Sequence, residues 1–150
     1  MIREAQIQDI PEIIHVIHNS IRSCIQDHQR NESVIQTWLE EANHANIMMW
    51  MLYNESWVYL SDNRVVGFLL VTDGGKILLN YICPERQFEG IGKTLLMHML
   101  HYFREKNITE IHLESTYTAL PFYQKYGFVA HTEFEHEPTK LKLVKPLSSS

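Results

Sequence analysis

The stretch Lys76-Ile-Leu-Leu-Asn-Tyr-Ile-Cys-Pro-Glu-Arg-Gln-Phe-Glu-Gly-Ile-Gly-Lys-Thr-Leu-Leu96 decides the fold. Its apolar run, Ile77 to Cys83, reads as a buried strand. Pro84 stops that strand, because proline has no ladder donor and holds Cys83 in an extended conformation. Past a short polar turn stand Gly90 and Gly92. Ile91, Leu95, Leu96, Met99, Leu100 and Phe103 then recur at helical spacing. A strand therefore feeds a glycine turn that opens an amphipathic helix. Such a junction aims free backbone N–H groups and the positive end of the helix dipole at one point. That point suits a phosphate, and glycine lets the backbone approach it closely. A plain strand-turn-helix corner is the alternative that two glycines alone leave open.

Three phosphate-binding patterns compete for the turn. The dinucleotide fingerprint G-x-G-x-x-G needs glycine where Leu95 stands. The P-loop finds its end in Gly92-Lys93-Thr94 but needs its first glycine where Gln87 stands. The third pattern, Gln-x-x-Gly-x-Gly, is met by Gln87, Gly90 and Gly92. It resembles the pyrophosphate loop of the GNAT superfamily, the acetyl-CoA-dependent N-acetyltransferases. Ile82-Cys83-Pro84 likewise resembles the V-x-P that ends the family's fourth strand.

A second motif lies one helix and one strand further on. Ala119-Leu-Pro-Phe-Tyr123-Gln-Lys-Tyr-Gly127-Phe128 is similar to the family pattern A-x-x-F-Y-x-x-x-G-F at every fixed position. Ile2-Arg-Glu-Ala5 followed by Asp9-Ile10 resembles many GNAT N-termini, more weakly. Two departures accompany these likenesses. Thr116 stands where the family often has Asn, and Glu89 stands where a basic residue usually precedes the first glycine. A carboxylate there would repel a pyrophosphate unless Arg86 or Lys93 offsets it, so weakened CoA affinity is expected.

The remaining elements follow in chain order. Ile2 to Ala5 reads as a short strand. Asp9 as N-cap, Pro11 in the first turn and Glu12 at the capping-box position open a helix whose stripe is Ile10, Ile13, Ile14, Ile17 and Ile21. A polar stretch runs from Ser20 to Glu32, and a helix follows from Glu32 to Asn43. The Met-rich run Ile47 to Leu52 is ambiguous between helix and linker. Trp57 to Leu60 and Val65 to Thr72 form a hairpin around Asp62-Asn63. Glu110 to Ser115 is a strand, and Ala119 to Tyr126 is a short helix stopped by Gly127. Phe128 to Glu135 and Leu141 to Leu147 form a closing strand pair. The element order is β-α-α-β-β-β-α-β-α-β-β, an α/β (α+β) arrangement in one domain, residues 1–150. The resemblance implies the GNAT fold. That is a mixed, mostly antiparallel sheet of about seven strands flanked by helices, splayed between the fourth and fifth strands.

Composition narrows the function. An apolar content of 45% and aromatic content of 11% fit a globular domain. No apolar run approaches the ~18 residues of a membrane span. The N-terminal segment lacks the basic start and apolar stretch of a signal peptide, so a cytoplasmic location is expected. Two cysteines, Cys24 and Cys83, imply no disulfide framework. A net charge of −5 argues against a nucleic-acid backbone and suits a cationic small substrate.

By resemblance, acetyl-CoA is the cosubstrate, and Tyr81, Ile82, Cys83, Gln87, Phe88, Glu89, Gly90, Ile91, Gly92, Lys93, Thr94, Thr116 and Tyr123 line its site. Unpaired amides near Tyr81, Ile82 and Cys83 would face the thioester. Tyr123 would protonate the departing thiolate, since a phenol of pKa about 10 can pass a proton to a thiolate whose conjugate acid lies near 8.5. The alternative for Tyr123 is a half-buried packing aromatic. An amine of pKa about 10.4 must also lose a proton. Glu114 is the candidate base, a solvated strand-end acid being its alternative, and Asn80 with Tyr81 can instead hold an ordered water. Arg22, Asp27 and His28 are candidate acceptor contacts in a region that reads equally well as a solvated loop. Cys83 is expected as a packing thiol rather than an acyl carrier.

The histidines His15/His18 and His98/His101 lack a matched third ligand, and no metal is expected. His131, Glu133, Glu135, His136 and Glu137 fall on the last hairpin, at the substrate cleft or at the interface of a homodimer. The acceptor would be an amine of a small molecule or peptide. Two other functions remain. A catalytically silent acyl-CoA-binding regulatory module lacks the need for Tyr123, and a P-loop nucleotidase needs the glycine and Mg²⁺-binding Asp that are missing.

Overall fold

The computed structural model describes residues 1–23, 32–87, 89–116, 119–130 and 140–147. Strand β1 (Ile2–Glu4) leads through a one-turn 3-10 helix, Ile7–Asp9, into α1 (Ile10–Ser23). Asp9 does not cap α1 as its sequence position suggests. It sits one turn further in: its carboxylate accepts the Gln6 N–H at 2.8 Å and is gripped by Arg3 Nη1 and Nη2 at 2.7 and 2.9 Å. Asp9 is buried, so its charge requires a partner, and β1 supplies one from across the turn. Ile10, Ile13, Val16, Ile17 and Ile21 form the buried stripe of α1, while Ile14 sits at its margin.

Helix α2 (Glu32–Glu41) is followed by α3 (His44–Tyr53), so the ambiguous Met-rich run is helical and the chain has one more helix than expected. The Asn43 side chain caps α3 by accepting the Asn46 N–H at 2.9 Å. Strands β2 (Glu55–Ser61) and β3 (Arg64–Val71) form the expected hairpin. Asp62 and Asn63 both take left-handed backbone angles, φ 53° and 63°, which match the twist of a two-residue turn. Then come β4 (Lys76–Ile82), a 3-10 turn at Pro84–Arg86, and α4 (Ile91–Glu105). Strand β5 (Glu110–Thr116), α5 (Leu120–Lys125), β6 (Val129–Ala130) and β7 (Lys140–Pro146) complete the described elements. Residues 131–139, which hold the histidines and glutamates expected on the last hairpin, lie outside the described residues, as do Cys24, Asp27, His28 and Phe88.

The seven strands form one sheet in the order β1-β2-β3-β4-β5-β7-β6. All neighbours are antiparallel except β4 and β5. That parallel pair is brief, only Lys76 with His112 and Ile77 with Leu113, so the two strands part beyond Ile77. The parting begins at a bulge. Leu70 faces Leu79 and Val71 faces Ile77, which leaves Leu78 as the extra residue on β4, 41% exposed. Helices α1, α2 and α3 cover one face with Ile10, Ile13, Ile47 and Phe68. Helices α4 and α5 cover the other with Leu69, Leu96, Met99, Phe103, Tyr123 and Phe128. Among the described residues no helix is long and apolar enough to cross a membrane.

Hydrogen bonding to Arg3, above all, holds the Asp9 carboxyl below its ordinary 3.8. A depressed folded value stabilises the protein above the unfolded value, and that contribution is lost as the pH falls through the folded one. Asp9→Asn should therefore lower stability by about 1–3 kcal/mol at neutral pH. Urea denaturation of wild type and variant should converge in acid. A gap that persists undiminished at about pH 2 would contradict this role for the charge.

Candidate active site

The glycine turn is built as its sequence requires. Gly90 has φ 83° and is the N-cap of α4. A Cβ there would touch nothing within 4 Å, so the left-handed backbone, not crowding, demands glycine. Gly92 opens the helix beside α5, and a Cβ on it would make ordinary contact with Phe122 Cζ at 3.4 Å. The first intrahelical bond runs from Thr94 N–H to Gly90 C=O at 3.0 Å, with Thr94 Oγ1 donating to the same carbonyl at 2.8 Å. The amides of Ile91, Gly92 and Lys93 thus precede the helix ladder and remain available to a ligand. Ile91 is buried and fixes this end, while Gln87, Glu89, Gly90, Lys93 and Thr94 are exposed around it.

Glu89 is neutralised where it stands. Arg86 Nε donates to both its carboxylate oxygens, at 2.9 and 3.1 Å, and Arg86 Nη2 donates to Ser61 Oγ at 2.9 Å. Of the two cations expected to offset Glu89, Arg86 does so. The pair is anchored to the end of β2, which draws the carboxylate towards the neighbouring hairpin.

Past the bulge, the edge of β4 that β5 abandons faces the gap. The Cys83 N–H is not on that edge, since it donates to Val66 C=O at 2.8 Å. This corrects the expectation that it faces a thioester. Ladder alternation puts the Tyr81 amide on the β3 side as well, and turns those of Asn80 and Ile82 towards the gap. The shift has a simple cause: Pro84 ends the strand only after Cys83 has made one more ladder bond. Ser20 Oγ, buried in α1, donates to Ile82 C=O at 2.8 Å and satisfies a carbonyl that β5 no longer meets.

Tyr123 is buried on the α4 and α5 face, edge-on to Phe122 and Phe128 at centroid distances of 5.1 and 5.4 Å. Asn80 Nδ2 donates to its hydroxyl at 2.9 Å. Burial pushes the phenol up from its ordinary value, and the Asn80 bond opposes that. The sequence pointed to Asn80 only as a holder of water; its bond to Tyr123, 43 residues away, has no local signature. Glu114 lies on the other face of the sheet, because Ile111, Leu113 and Ser115 point towards α4 and α5. It pairs with Lys76 at 3.5 Å, both side chains well exposed. The side chain of Thr116 lies outside the described residues.

The Cys83 thiol donates to the Glu85 carboxylate, and burial pushes its pKa up, so it is held as a thiol rather than a nucleophilic thiolate. Arg22 is exposed at the end of α1. His18 meets Ala42 C=O at 3.1 Å, His15 meets Asn19 at 3.0 Å, and His101 meets Glu105 at 3.2 Å. No group of three metal-ligating side chains occurs among the described residues.

Known proteins share this fold. The acetyltransferase (GNAT) domain model matches residues 24–145. The chain is 24% identical to the peptidyl-lysine N-acetyltransferase YiaC of Escherichia coli K12, over 85% of this chain and 82% of that protein. It is 23% identical to the spermidine N(1)-acetyltransferase of Thermoplasma acidophilum, over 85% of this chain and 86% of that one. The crystal structure of the PaiA N-acetyltransferase of Thermoplasma acidophilum, in complex with coenzyme A, superposes with a TM-score of 0.87 at 21% identity. It covers 97% of this chain and 98% of that one. The chain belongs to the GNAT family of acetyltransferases, whose cosubstrate is acetyl-CoA.

The ion pair at the loop leads to a test. Glu89→Gln removes the carboxylate and releases the Arg86 guanidinium beside the candidate phosphate site. CoA binding followed by calorimetry should tighten, more at low salt than at high salt. Unchanged affinity at low salt would place the pyrophosphate elsewhere.

Proposed function

We propose that this single domain, residues 1–150, transfers an acetyl group directly from acetyl-CoA to the amine of a small molecule or peptide. The observation that carries this reading is the Tyr123 hydroxyl, buried at the gap between β4 and β5 with its oxygen accepting from Asn80. An oxygen that accepts there keeps its own proton to give.

In this reading the amides of Ile91, Gly92 and Lys93 receive the pyrophosphate, helped by the dipole of α4. Gln87, Glu89, Gly90 and Thr94 flank that position, with Tyr123 further along the gap; Phe88 and the Thr116 side chain, also assigned to the site, lie outside the described residues. The thioester carbonyl lies against the Ile82 amide, which polarises it as charge develops on oxygen. The amine nitrogen bonds to the acyl carbon and the carbon–sulfur bond breaks. Tyr123 gives its proton to the leaving sulfur, and the amine's surplus proton passes to water or, through water, to Glu114. Placement of Tyr123 and Glu114 on opposite faces of the sheet keeps the proton donor for the thiolate apart from the carboxylate that takes the amine's proton. No covalent intermediate on Cys83 is needed, which agrees with its hydrogen-bonded thiol.

Amine acceptors are named for two of the relatives, a peptide lysine and spermidine. The net charge of −5 supports a cationic acceptor here too, and disfavours nucleic acid. We read the protein as cytoplasmic and independent of membranes, and leave a homodimer open to it.

Release of free thiol from acetyl-CoA on adding polyamines or lysine peptides separates this enzyme from a silent acyl-CoA-binding module. Tyr123→Phe removes one oxygen and keeps the ring, so CoA affinity should hold while turnover falls on the order of 10²-fold. Wild-type turnover in that variant would remove Tyr123 from the mechanism.

A further inference from the structure

Asn80 is the third residue past Ile77, the last β4 residue to pair with β5, and its side chain lies on the Tyr123 face. One end of its amide is committed, since Nδ2 donates to the Tyr123 hydroxyl at 2.9 Å. The other end is not. Its Oδ1 is buried from solvent and, among the described residues, has no hydrogen-bond partner. A buried carbonyl oxygen left unpaired costs about 1–3 kcal/mol, so folding alone does not explain it.

The orientation of this amide decides what Tyr123 can do. With Nδ2 towards the phenol, the phenol oxygen accepts and its proton is free for a departing thiolate. Turned over, Oδ1 would take that proton, and the acid would be spent on its neighbour. An amide oxygen only accepts, so a partner for Oδ1 must present an N–H or an O–H, and an amine or amide of the substrate supplies the former. Among the described residues, the pairing of β4 with β5 has ended before Asn80 and leaves its Oδ1 unpartnered.

We propose that Asn80 is a two-ended positioning residue, fixing the Tyr123 hydroxyl with Nδ2 while its Oδ1 accepts an N–H of a bound substrate. This rests on the reading of Tyr123 as the acid. The N–H has two possible sources in the reaction: an amide of the arm that carries the thioester, or the acceptor amine itself. Binding of the N–H then holds the amide in the orientation that leaves the Tyr123 proton free. The lowering effect of the Asn80 bond on the phenol is in the same direction.

Two variants separate the ends. Asn80→Leu is close in shape and removes both. Asn80→Asp keeps acceptor oxygens but loses the donor, and its carboxylate would capture the phenol proton. Turnover should fall on the order of 10-fold in both, and each loss should vanish when Tyr123 is already Phe. Calorimetry with CoA alone identifies the source of the N–H. If it is the cosubstrate amide, Asn80→Leu weakens CoA by about 3- to 10-fold and Asn80→Asp does not. If it is the acceptor, CoA affinity holds in both, and the KM for the amine rises in Asn80→Leu alone. The Asp variant keeps the test of Nδ2 open should Leu fail to fold. Losses that persist at full size in the Tyr123→Phe background would overturn the role of Nδ2. Unchanged CoA affinity together with an unchanged amine KM in Asn80→Leu would overturn that of Oδ1. Failure of Tyr123 as the acid would show separately, as wild-type turnover in Tyr123→Phe alone.

Discussion

Beyond Ile77, strand β4 has lost its parallel neighbour, and each polar group on the abandoned edge must find another partner or wait for one. The bulge at Leu78 starts the parting. Ser20 reaches from α1 to the Ile82 carbonyl. The Cys83 amide returns to Val66 and closes the ladder. Between the bulge and Cys83, the Ile82 amide, the Asn80 amide and the unpartnered Asn80 Oδ1 lie on the stretch that β5 has left. A sheet that stayed paired here would be more fully bonded and would have no opening for a thioester. In the proposed reaction, that unsatisfied backbone supplies the donors the thioester needs.

Charge is handled by pairing rather than by deletion. Glu89 sits in the glycine turn, and Arg86 cancels it while Ser61 holds Arg86 in place. Glu114 has Lys76 across the root of the gap. Exposed pairs of this kind contribute little to stability and are screened by salt. Their value lies in which charge faces the ligand. Buried Asp9 differs, because its pairing with Arg3 ties β1 to the start of α1 and offsets a desolvation cost that an exposed pair never meets.

Much of this was legible in sequence because it is local. The strand, turn and helix from Lys76 to Leu96 carry their own stop, glycines and apolar stripe, and the hairpin at Asp62-Asn63 carries its own turn residues. The Met-rich helix His44–Tyr53 was ambiguous because its apolar residues run all round and show no period; Asn43 was the available start signal. Asp9 looked like an N-cap because sequence cannot show that Arg3 lies beside it. The bulge at Leu78 and the bond from Asn80 to Tyr123 depend on pairings between distant segments, so no window of sequence contains them. The candidate residues on the glycine loop lie within one stretch of sequence; which strand amides face the gap depends on the ladder register.

Amide hydrogen exchange, resolved by residue and measured with and without CoA, tests the central claim most directly. The account predicts that CoA slows exchange at Asn80 or Ile82 and at Ile91, Gly92 and Lys93. Exchange at Cys83, already bonded to Val66, should change little. Protection confined to Cys83 and Tyr81, or none at the start of α4, would contradict it.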